Sequence, residues 1–336
     1  MEKLKFSEYF NKWLYGKNGY YANYKEIGKE GDFYTSVSTS SFFGGSIGKR
    51  IVDSIKEGNL PKDTTILEIG AHHGYLIADV IQFIYTLKPE LLNTLTFAIV
   101  ERFQNLQEQQ KKYLKESFGD AINLIHYNDI EKVKLPHAFV FANEIFDAFA
   151  CELVLLKDDK LQIANVQEHK IKFEECKDEK ILNYCKKYKI QKGEIPVGYD
   201  DFVKTICNGI KKFEFITFDY GDKFPRNDFS IRIYEKHKTY PIFEEELNLE
   251  KLFSKADITY DVFFNYLSDC FKQEGIKDIE FKTQMIALVE FGIIDLLEIL
   301  KENASENVYL RESSKVKTLL EPTGMGDRFK VLHIKK

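Results

Sequence analysis

The stretch 65–76, TILEIGAHHGYL, constrains the fold more than any other part of the chain. It opens with a mainly apolar run, reaches Gly70 and then Gly74, and continues as an amphipathic pattern from Tyr75 to Leu87. A short apolar run, a glycine turn and a pattern with helical spacing predict a buried strand, a tight turn and a helix. These elements open a doubly wound α/β sheet, whose ligands bind beyond the carboxyl ends of the strands.

The spacing of the two glycines indicates the kind of ligand. Gly70-x-x-x-Gly74 differs from the Gly-x-Gly-x-x-Gly pattern that brings a backbone against a pyrophosphate. With Glu68 just before the loop, the segment favours a ligand that lacks phosphates but carries a ribose and an amino-acid-like group. S-adenosylmethionine is the common ligand of that kind. The alternative is that the glycines only make a structural turn.

From Thr65 onward the patterns of strand and helix alternate regularly. We predict strands at 65–70, 95–101, 121–126, 138–143 and 213–221, and helices at 75–87 and 103–118. Alternation of this kind implies a parallel sheet with helices on both faces.

A helix is also predicted at 40–56, and it contains Gly44, Gly45 and Gly48. Each glycine inside a helix costs about 1 kcal/mol relative to alanine. Their presence therefore predicts close packing of this helix against another element or a ligand.

The regular alternation stops at about residue 150. A hairpin pattern at 153–166, followed by charged residues, predicts a subdomain inserted at 151–210 on the substrate side. We therefore expect an N-terminal arm or lid at 1–60 and a core made of 61–150 and 211–336.

Charge and cysteine content narrow the class of protein. A formal net charge of -5 argues against a dedicated nucleic-acid-binding protein, which usually shows a basic surface. The five cysteines include no C-x-x-C pair, which is typical of reduced thiols in a cytosol. No apolar stretch follows the first charges, and no run of about 18 apolar residues exists. These features predict a cytoplasmic protein without a membrane span.

Polar residues end four of the predicted strands, namely Glu68 with Gly70, Glu101, Asn143 with Glu144, and Asp219. Carboxyl ends of parallel strands meet at one edge, so we expect these groups to lie together. Glu101 suits a ribose because a carboxylate can accept hydrogen bonds from both hydroxyls. Asp129, after the third strand, could accept from an adenine amino group. For each acid taken singly, the alternative is a solvated loop residue.

Several motifs together resemble one known family. They are 19–21, 27–28, 31–36, 68–74, 100–101, 143–149 and 218–221, with later blocks at His237, 256–259 with 262–263, and 325–329. This pattern resembles the MidA-like class I S-adenosylmethionine-dependent methyltransferases, which include a mitochondrial complex I assembly factor. The segments GDFYTS at 31–36 and NEIFDA at 143–148 are the specific ones.

The resemblance implies a class I methyltransferase (Rossmann-like) fold, with a mainly parallel seven-stranded sheet, helices on both faces, an N-terminal helical arm and an inserted subdomain. It implies S-adenosylmethionine as the cofactor. The residues expected to bind it are Asp32, Thr35, Ser36, Glu68, Gly70, Gly74, Glu101, Asp129 and Asn143. Asp32, Thr35 and Ser36 would form a lid, and the alternative is an arm that only packs on the sheet.

The glycine loop departs from the family pattern. The family reads Gly-Pro-Gly-x-Gly, whereas this chain has Gly70-Ala71-His72-His73-Gly74. His72 therefore occupies a position where glycine permits positive φ. The two histidines lack an acid or a third ligand at metal-binding spacing, so we predict no metal site.

The family is associated with protein arginine methylation, on a subunit of respiratory complex I in its mitochondrial member. A guanidinium is charged at ordinary pH and is best held by carboxylates. The resemblance thus implies that Glu144, Asp147 and Asp219 surround the substrate and that Tyr220 walls the methyl channel. The alternative for Glu144 and Asp147 is that they cap a helix after the fourth strand.

Three functions follow from these observations. The first is a protein arginine methyltransferase that acts on a protein subunit, of the respiratory complex I type. The second is a small-molecule methyltransferase with the same core. The third is a catalytically silent assembly factor that keeps the fold and binds a partner, which the histidine at position 72 makes plausible.

Overall fold

A computed structural model of the chain describes residues 3–22, 35–235 and 238–336. These residues form two compact units, and each unit combines three segments of the sequence. The described parts of the first unit are 3–22, 146–201, 221–235 and 238–267. Those of the second unit are 35–145, 202–220 and 268–336.

The strands and helices of these residues are numbered here in chain order. Strands β1 to β16 are Leu4–Lys5, Thr65–Ile69, Thr96–Val100, Asn123–Tyr127, Leu135–Asn143, Cys151–Lys157, Lys160–Gln167, Lys170–Glu175, Lys192–Pro196, Ile210–Asp222, Arg232–Glu235, Lys238–Pro241, Asp257–Thr259, Val262–Phe263, Asp278–Thr283 and Phe329–Lys335. Helices α1 to α12 are Phe6–Tyr15, Ser36–Thr39, Phe42–Lys56, Tyr75–Leu87, Gln104–Phe118, Glu179–Tyr188, Tyr199–Gly209, Leu249–Leu252, Phe264–Gln273, Gln284–Glu290, Ile293–Asn303 and Glu306–Leu320. Short helical turns lie at Pro89–Asn93, Ile130–Lys132, Phe146–Ala148 and Pro322–Gly326.

The second unit is built on a sheet with the strand order β15-β16-β10-β5-β2-β3-β4. Strands β10, β5, β2, β3 and β4 run parallel to one another, whereas β16 runs antiparallel to both β10 and β15. The strand order reverses at β2, because β3 and β4 extend the sheet on one side and β5 and β10 on the other. The predicted α/β fold with a mainly parallel sheet of seven strands is confirmed.

Helices cover both faces of this sheet, as the alternating pattern predicts. Side chains along a strand alternate between the two faces. Ile216 and Phe218 of β10 belong to a core cluster with residues of α3, α4, α10, α11 and α12. Phe215, which precedes Ile216 and so faces the other side of the sheet, packs against Phe271 of α9 with ring centroids 5.6 Å apart. The central strands are thus buried on both faces, which explains their continuous apolar runs.

Helices α3 and α4 approach closely because α3 carries glycines at the contact. A Cβ atom on Gly44 would lie 2.6 Å from the Cβ of Asp79, and one on Gly45 would lie 2.6 Å from the ring of Phe83. Both distances are too short for a side chain. The close packing predicted from the glycines is therefore confirmed.

A buried carboxylate, Glu214 of β10, joins three elements of the second unit. It accepts hydrogen bonds from Arg50 Nε at 2.6 Å, Ser54 Oγ at 2.6 Å and His333 Nε2 at 2.8 Å. Burial alone would raise the pKa of Glu214, but the hydrogen bonds and charges of His333 and Arg50 lower this pKa to about 2. The network fastens α3 to β10 and β16.

The first unit has a separate sheet with the order β1-β7-β6-β9, in which β8 also pairs with β7. Strands β6 and β7 form the hairpin predicted at 153–166. A smaller sheet has the order β12-β11-β13. The indole nitrogen of Trp13 in α1 donates a hydrogen bond to the carbonyl oxygen of Ala256 at 2.7 Å, and the hydroxyl of Ser7 donates to the carboxylate of Glu152.

The compact units divide the chain differently from the domains proposed above. Residues 3–22 group with 146–201 rather than with 35–60, because β1 pairs with β7. Residues 221–267 also join the first unit, whereas the sequence placed them in the core. The inserted segment is therefore only one of the three segments that build this unit.

Two further properties concern the described ranges alone. None of their helices combines the length and the apolar composition needed to cross a lipid bilayer. All five cysteines are free and buried. Burial raises the pKa of Cys185 to about 12 and that of Cys207 to about 11, so both thiols stay protonated at neutral pH.

Candidate functional site

The carboxyl edge of the parallel strands in the second unit gathers most of the predicted site positions. Ile69 of β2 pairs with Val100 of β3, and Asn143 of β5 pairs with Phe218 of β10. The backbone N–H of Gly70 donates to the carbonyl oxygen of Val100 at 3.2 Å. This register brings to one edge Gly70, Glu101, Asn143, Glu144 and Asp219.

The loop 70–74 turns the chain from β2 into α4 with three residues in the left-handed region. The φ angles are +73° at Gly70, +50° at His72 and +79° at Gly74. A Cβ on Gly70 would lie 3.0 Å from Cγ2 of Ile145, so glycine keeps this approach open. His72 adopts with a side chain the conformation that glycine adopts freely, at a cost of about 1–2 kcal/mol.

The two adjacent histidines of the loop pack against each other, with ring centroids 4.1 Å apart. Burial lowers the pKa of His72 to about 4, and the neighbouring His73 adds to this shift, so the His72 ring is neutral at pH 7. Within the described ranges no three His, Cys, Asp or Glu side chains are grouped to hold a metal ion.

Glu68 contacts the helix that follows the loop. Its buried carboxylate accepts a hydrogen bond from the backbone N–H of Ile77, in the first turn of α4, at 3.0 Å. The first N–H groups of a helix have no partner within it, so this bond satisfies one of them. Burial raises the pKa of Glu68 to about 8, against the effect of the Ile77 hydrogen bond. A direct contact of Glu68 with the cofactor stays a prediction.

Glu101, at the end of β3, is a buried acceptor. Its Oε1 accepts from the backbone N–H of Phe103 at 3.0 Å, and Gln110 also donates to the carboxylate. Burial raises the pKa of Glu101, although these hydrogen bonds oppose the shift. A carboxylate has about four acceptor sites, so sites remain for a diol. Its contact with a ribose stays a prediction.

Asp129 lies beyond the end of β4. Its carboxylate accepts a hydrogen bond from the backbone N–H of Glu131 at 2.9 Å and so begins the helical turn Ile130–Lys132. The side chain therefore has a local structural role. Its predicted contact with adenine is not tested by this bond and stays a prediction.

Asn143 ends β5, and Glu144 follows it in a strained conformation. The side-chain Nδ2 of Asn143 donates to Oε1 of Glu144 at 2.7 Å, and Glu144 has a φ of +52°. Oδ1 of Asn143 is buried and has no hydrogen-bond partner among the described residues. Strain and an unsatisfied buried acceptor at a sheet edge are typical of ligand sites.

Asp219 and Tyr220 lie next to Glu144 at this edge. The backbone N–H of Glu144 donates to the carbonyl oxygen of Phe218 at 2.8 Å. Asp219 is fully buried, and its carboxylate accepts from the backbone N–H of Tyr220 at 2.9 Å. The ring of Tyr220 packs edge-on against Phe329, with centroids 5.8 Å apart. The catalytic roles of these residues stay predictions.

Asp147 belongs to the first unit and is buried there. Its carbonyl oxygen accepts from the backbone N–H of Tyr260 at 3.2 Å. No α-helix follows β5 that Glu144 and Asp147 could cap, because the three-residue turn Phe146–Ala148 leads directly to β6.

One buried acid of the first unit, Asp257, was not selected from the sequence. The hydroxyl of Tyr21 lies 3.3 Å from each of its carboxylate oxygens. Burial raises the pKa of Tyr21 well above its usual range, and the charges of Asp257 and Asp147 add to the shift. The signal available in the sequence was the family-like block at 256–259, which contains this acid.

The predicted lid is described only in part. Asp32 lies outside the described residues, as does most of the GDFYTS segment. The hydroxyl of Thr35 accepts from the backbone N–H of Ser38 at 3.2 Å and caps α2. The buried hydroxyl of Ser36 donates to Oε1 of Gln284 at 2.9 Å, which fastens α2 to α10. Contacts of Asp32, Thr35 and Ser36 with a cofactor stay predictions.

The edge residues fit S-adenosylmethionine in kind. Gly70 leaves open a space that a side chain would fill. Glu101 offers buried acceptors for a ribose diol, and Oδ1 of Asn143 offers an acceptor for an amine or ammonium donor. These groups would hold the adenosyl and amino-acid parts of the cofactor.

Comparison with known proteins agrees with this geometry. The model of methyltransferase family 28, described as S-adenosyl-L-methionine-dependent methyltransferases, matches residues 46–282. The protein arginine methyltransferase NDUFAF7 homologue of Drosophila melanogaster is 28% identical over 159 residues, which are 43% of this chain and 36% of that protein. The rat protein arginine methyltransferase NDUFAF7 is 28% identical over 148 residues, or 38% of this chain and 34% of that protein. The chain thus spans about a third of the length of these mitochondrial relatives.

Similar folds occur in two solved structures from Burkholderia thailandensis. One holds bound S-adenosyl-homocysteine, and it superposes with a TM-score of 0.85 at 19% identity over 99% of this chain and 88% of that chain. The other, a native crystal structure, has a TM-score of 0.82 at 20% identity, over 99% and 87% of the two chains. At this identity the likeness concerns the fold alone.

Proposed function

We propose a function from the premise that this chain belongs to the family of S-adenosyl-L-methionine-dependent methyltransferases. This membership confirms the family that the motifs predicted, and S-adenosylmethionine with it. The proposed reaction is transfer of a methyl group to a guanidinium nitrogen of an arginine in a protein. The relatives named protein arginine methyltransferases support this choice of acceptor, although they are matched over about a third of their length.

One observation carries the proposal for arginine. The backbone hydrogen bond from Glu144 to Phe218 makes Glu144 and Asp219 neighbours at the carboxyl edge of the sheet. A guanidinium is planar, permanently charged and rich in donors, and carboxylates are its best partners. Two acids at the edge where the cofactor is expected therefore suit a cationic acceptor.

The roles of the residues follow from the chemistry of the acceptor. Bound S-adenosylmethionine supplies an electrophilic methyl group on a sulfonium. Glu144 and Asp219 would hold the guanidinium and concentrate its positive charge on the nitrogens they contact, which leaves the remaining nitrogen more nucleophilic. Tyr220 would exclude water from the space beside the guanidinium. Orientation of the acceptor contributes more here than a strong base does.

The partner and the location belong to the same proposal. The family resemblance favours a protein subunit of a respiratory complex of the complex I type as the substrate. The protein composition and its five free thiols favour a reducing, cytoplasmic compartment. The substrate role that the sequence suggests for Asp147, which is buried in the first unit, stays a prediction.

The test uses methyl-labelled S-adenosylmethionine and lysate from a strain that lacks the protein. We expect label in a protein band and, after hydrolysis, in methylarginine. Glu144→Gln and Asp219→Asn should each lower transfer by about 100-fold while the Kd for S-adenosylhomocysteine stays within a factor of about 3. Glu131→Gln, which changes an exposed acid, is the matched control.

Each contrary result has a distinct meaning. Normal turnover by both variants would refute the assigned roles. Label in a small molecule and in no protein would favour a small-molecule methyltransferase. Absence of S-adenosylhomocysteine binding by the wild-type protein would favour the silent assembly factor, for which the half-buried His72 in the glycine loop is the supporting observation.

A further inference from the structure

A buried amide, Gln110 of α5, connects the glycine loop with the end of β3. Its Nε2 donates to the carbonyl oxygen of His72 at 2.7 Å, and a hydrogen bond from its side chain lowers the pKa of Glu101. Its Oε1 lies 3.1 Å from Nε2 of His126 in β4. A Cβ on Gly74 would lie 3.6 Å from Cγ of Gln110, so the side chain also lies against the loop. One side chain thus contacts the ends of three neighbouring segments.

The orientation of this amide is fixed by its partners. Because Nε2 donates to the carbonyl oxygen of His72, the amide oxygen is the atom that faces His126. Burial lowers the pKa of His126 to about 4, and the charge of Lys111 adds to the shift, so the ring is neutral. Nε2 of His126 must then carry the proton and donate it. The bonds to His72 and His126 therefore fix the orientation of the amide.

The contacts of Gln110 constrain two groups of the predicted cofactor site, the backbone of His72 and the carboxylate of Glu101. His72 is in the left-handed region with φ of +50°, a conformation that persists only where neighbouring groups impose it. Glu101 is a buried carboxylate that accepts from the backbone N–H of Phe103 at 3.0 Å, and the Gln110 side chain lowers its pKa through a hydrogen bond. A ligand that contacts the loop and the carboxylate meets groups whose geometry is already set, so less ordering is needed on binding.

We propose that Gln110 is a positioning residue for the adenosyl part of the cofactor, which fixes the glycine loop through the His72 carbonyl and aims the Glu101 carboxylate at the ribose hydroxyls. This inference rests on the ribose contact of Glu101 that the proposed function includes. Gln110 acts through these two groups, and it is therefore distinct from the residues that touch the cofactor.

Calorimetry with two ligands tests the proposal. S-adenosylhomocysteine and its 2′-deoxy analogue are titrated into the wild-type protein and into Gln110→Met, which keeps the volume and removes the donors. We expect the variant to bind S-adenosylhomocysteine about tenfold more weakly, because the loop is no longer fixed and the carboxylate is no longer aimed. The deoxy analogue should lose less affinity, because only the change in the loop affects it. Discrimination between the two ligands should therefore fall. Gln109→Met, at the exposed neighbouring position, should leave both Kd values unchanged.

A merely structural role would weaken both ligands by the same factor, and that result, or unchanged discrimination, would overturn the proposal. Gln110→Leu also removes the donors and adds no charge, so it gives the same test should Gln110→Met fail to fold by circular dichroism. Glu101→Gln separates the two proposals. If it keeps full discrimination, the ribose contact itself is wrong. If it loses discrimination while Gln110→Met keeps it, only the role of Gln110 is wrong.

Discussion

The buried carboxylate Glu214 gives a sharp test of how the second unit is held together. Glu214→Gln keeps the shape of the side chain and removes its charge. Arg50 then loses a buried ionised partner at 2.6 Å, and Arg50 is itself largely buried. Removing one member of a buried ion pair leaves the other uncompensated, at a typical cost of about 3–5 kcal/mol.

The pKa of Glu214 gives an independent magnitude. Its folded-state pKa is about 2 against an ordinary value of 4.5. Because each tenfold change in proton affinity corresponds to about 1.4 kcal/mol, the ionised form stabilises the fold by about 3 kcal/mol. The folded pKa is the lower one, so this stability is fully present above about pH 4.5 and is lost as the pH falls toward about 2. About half of it should remain at pH 3.

Urea unfolding followed by far-UV circular dichroism measures both effects. At pH 7 we expect Glu214→Gln to lower the free energy of unfolding by about 3 kcal/mol, and the difference from wild type should shrink by about half at pH 3. Glu57→Gln is the matched control, since Glu57 binds the same Arg50 at 3.3 Å but its side chain is 51% exposed. Its expected cost is below about 1 kcal/mol. Equal costs for the two variants, or a cost for Glu214→Gln that does not vary with pH, would refute the reasoning.

Three further outcomes follow from the structure. Gly44→Ala should destabilise the second unit by about 1–3 kcal/mol in urea unfolding, because the new Cβ would lie 2.6 Å from the Cβ of Asp79. The cost of this overlap exceeds the gain in helix propensity. A stabilised variant would contradict the close packing of α3 and α4. His72→Gly should raise the melting temperature slightly, since it removes a left-handed penalty of about 1 kcal/mol. A clear decrease would mean that packing of the half-buried ring contributes more than the strain costs. Binding of S-adenosylhomocysteine should weaken as the pH falls through the raised pKa of Glu101, at a higher pH than for an ordinary glutamate. Calorimetry across this range should show no such dependence for Glu101→Gln, and a persisting dependence would assign the effect to another group.

Local patterns predicted the elements of the core well. The helix expected at 75–87 is α4, and the expected strands correspond to β2, β3, β4, β5 and β10. Such elements are readable because apolar spacing and glycine turns are local properties of the sequence. The pairing of β1 with β7 was not predictable, because Leu4 and its partner Val166 lie far apart in the chain and two-residue strands have no pattern of their own.

The sequence indicated the type and position of the site residues but not the direction in which their side chains point. The sequence places Glu68 next to the loop, yet only the structure turns its carboxylate toward Ile77 of α4. Gln110 belongs to a polar helix in which several glutamines look alike, and its burial depends on which face of α5 meets the sheet. The alternative in which Glu144 and Asp147 cap a helix was wrong, because the three-residue turn Phe146–Ala148 and the start of a helix have similar local sequences.

Strand β16 has a consequence for the order in which the protein can assemble. Because it pairs with β10 on one side and β15 on the other, the sheet stays interrupted until residues 329–335 have left the ribosome. Until then the backbone of β10 presents an open edge that another nascent chain could pair with. Ribosomes stalled before these codons should therefore carry an aggregation-prone chain, and removal of this one strand should lower soluble yield far more than its seven residues suggest.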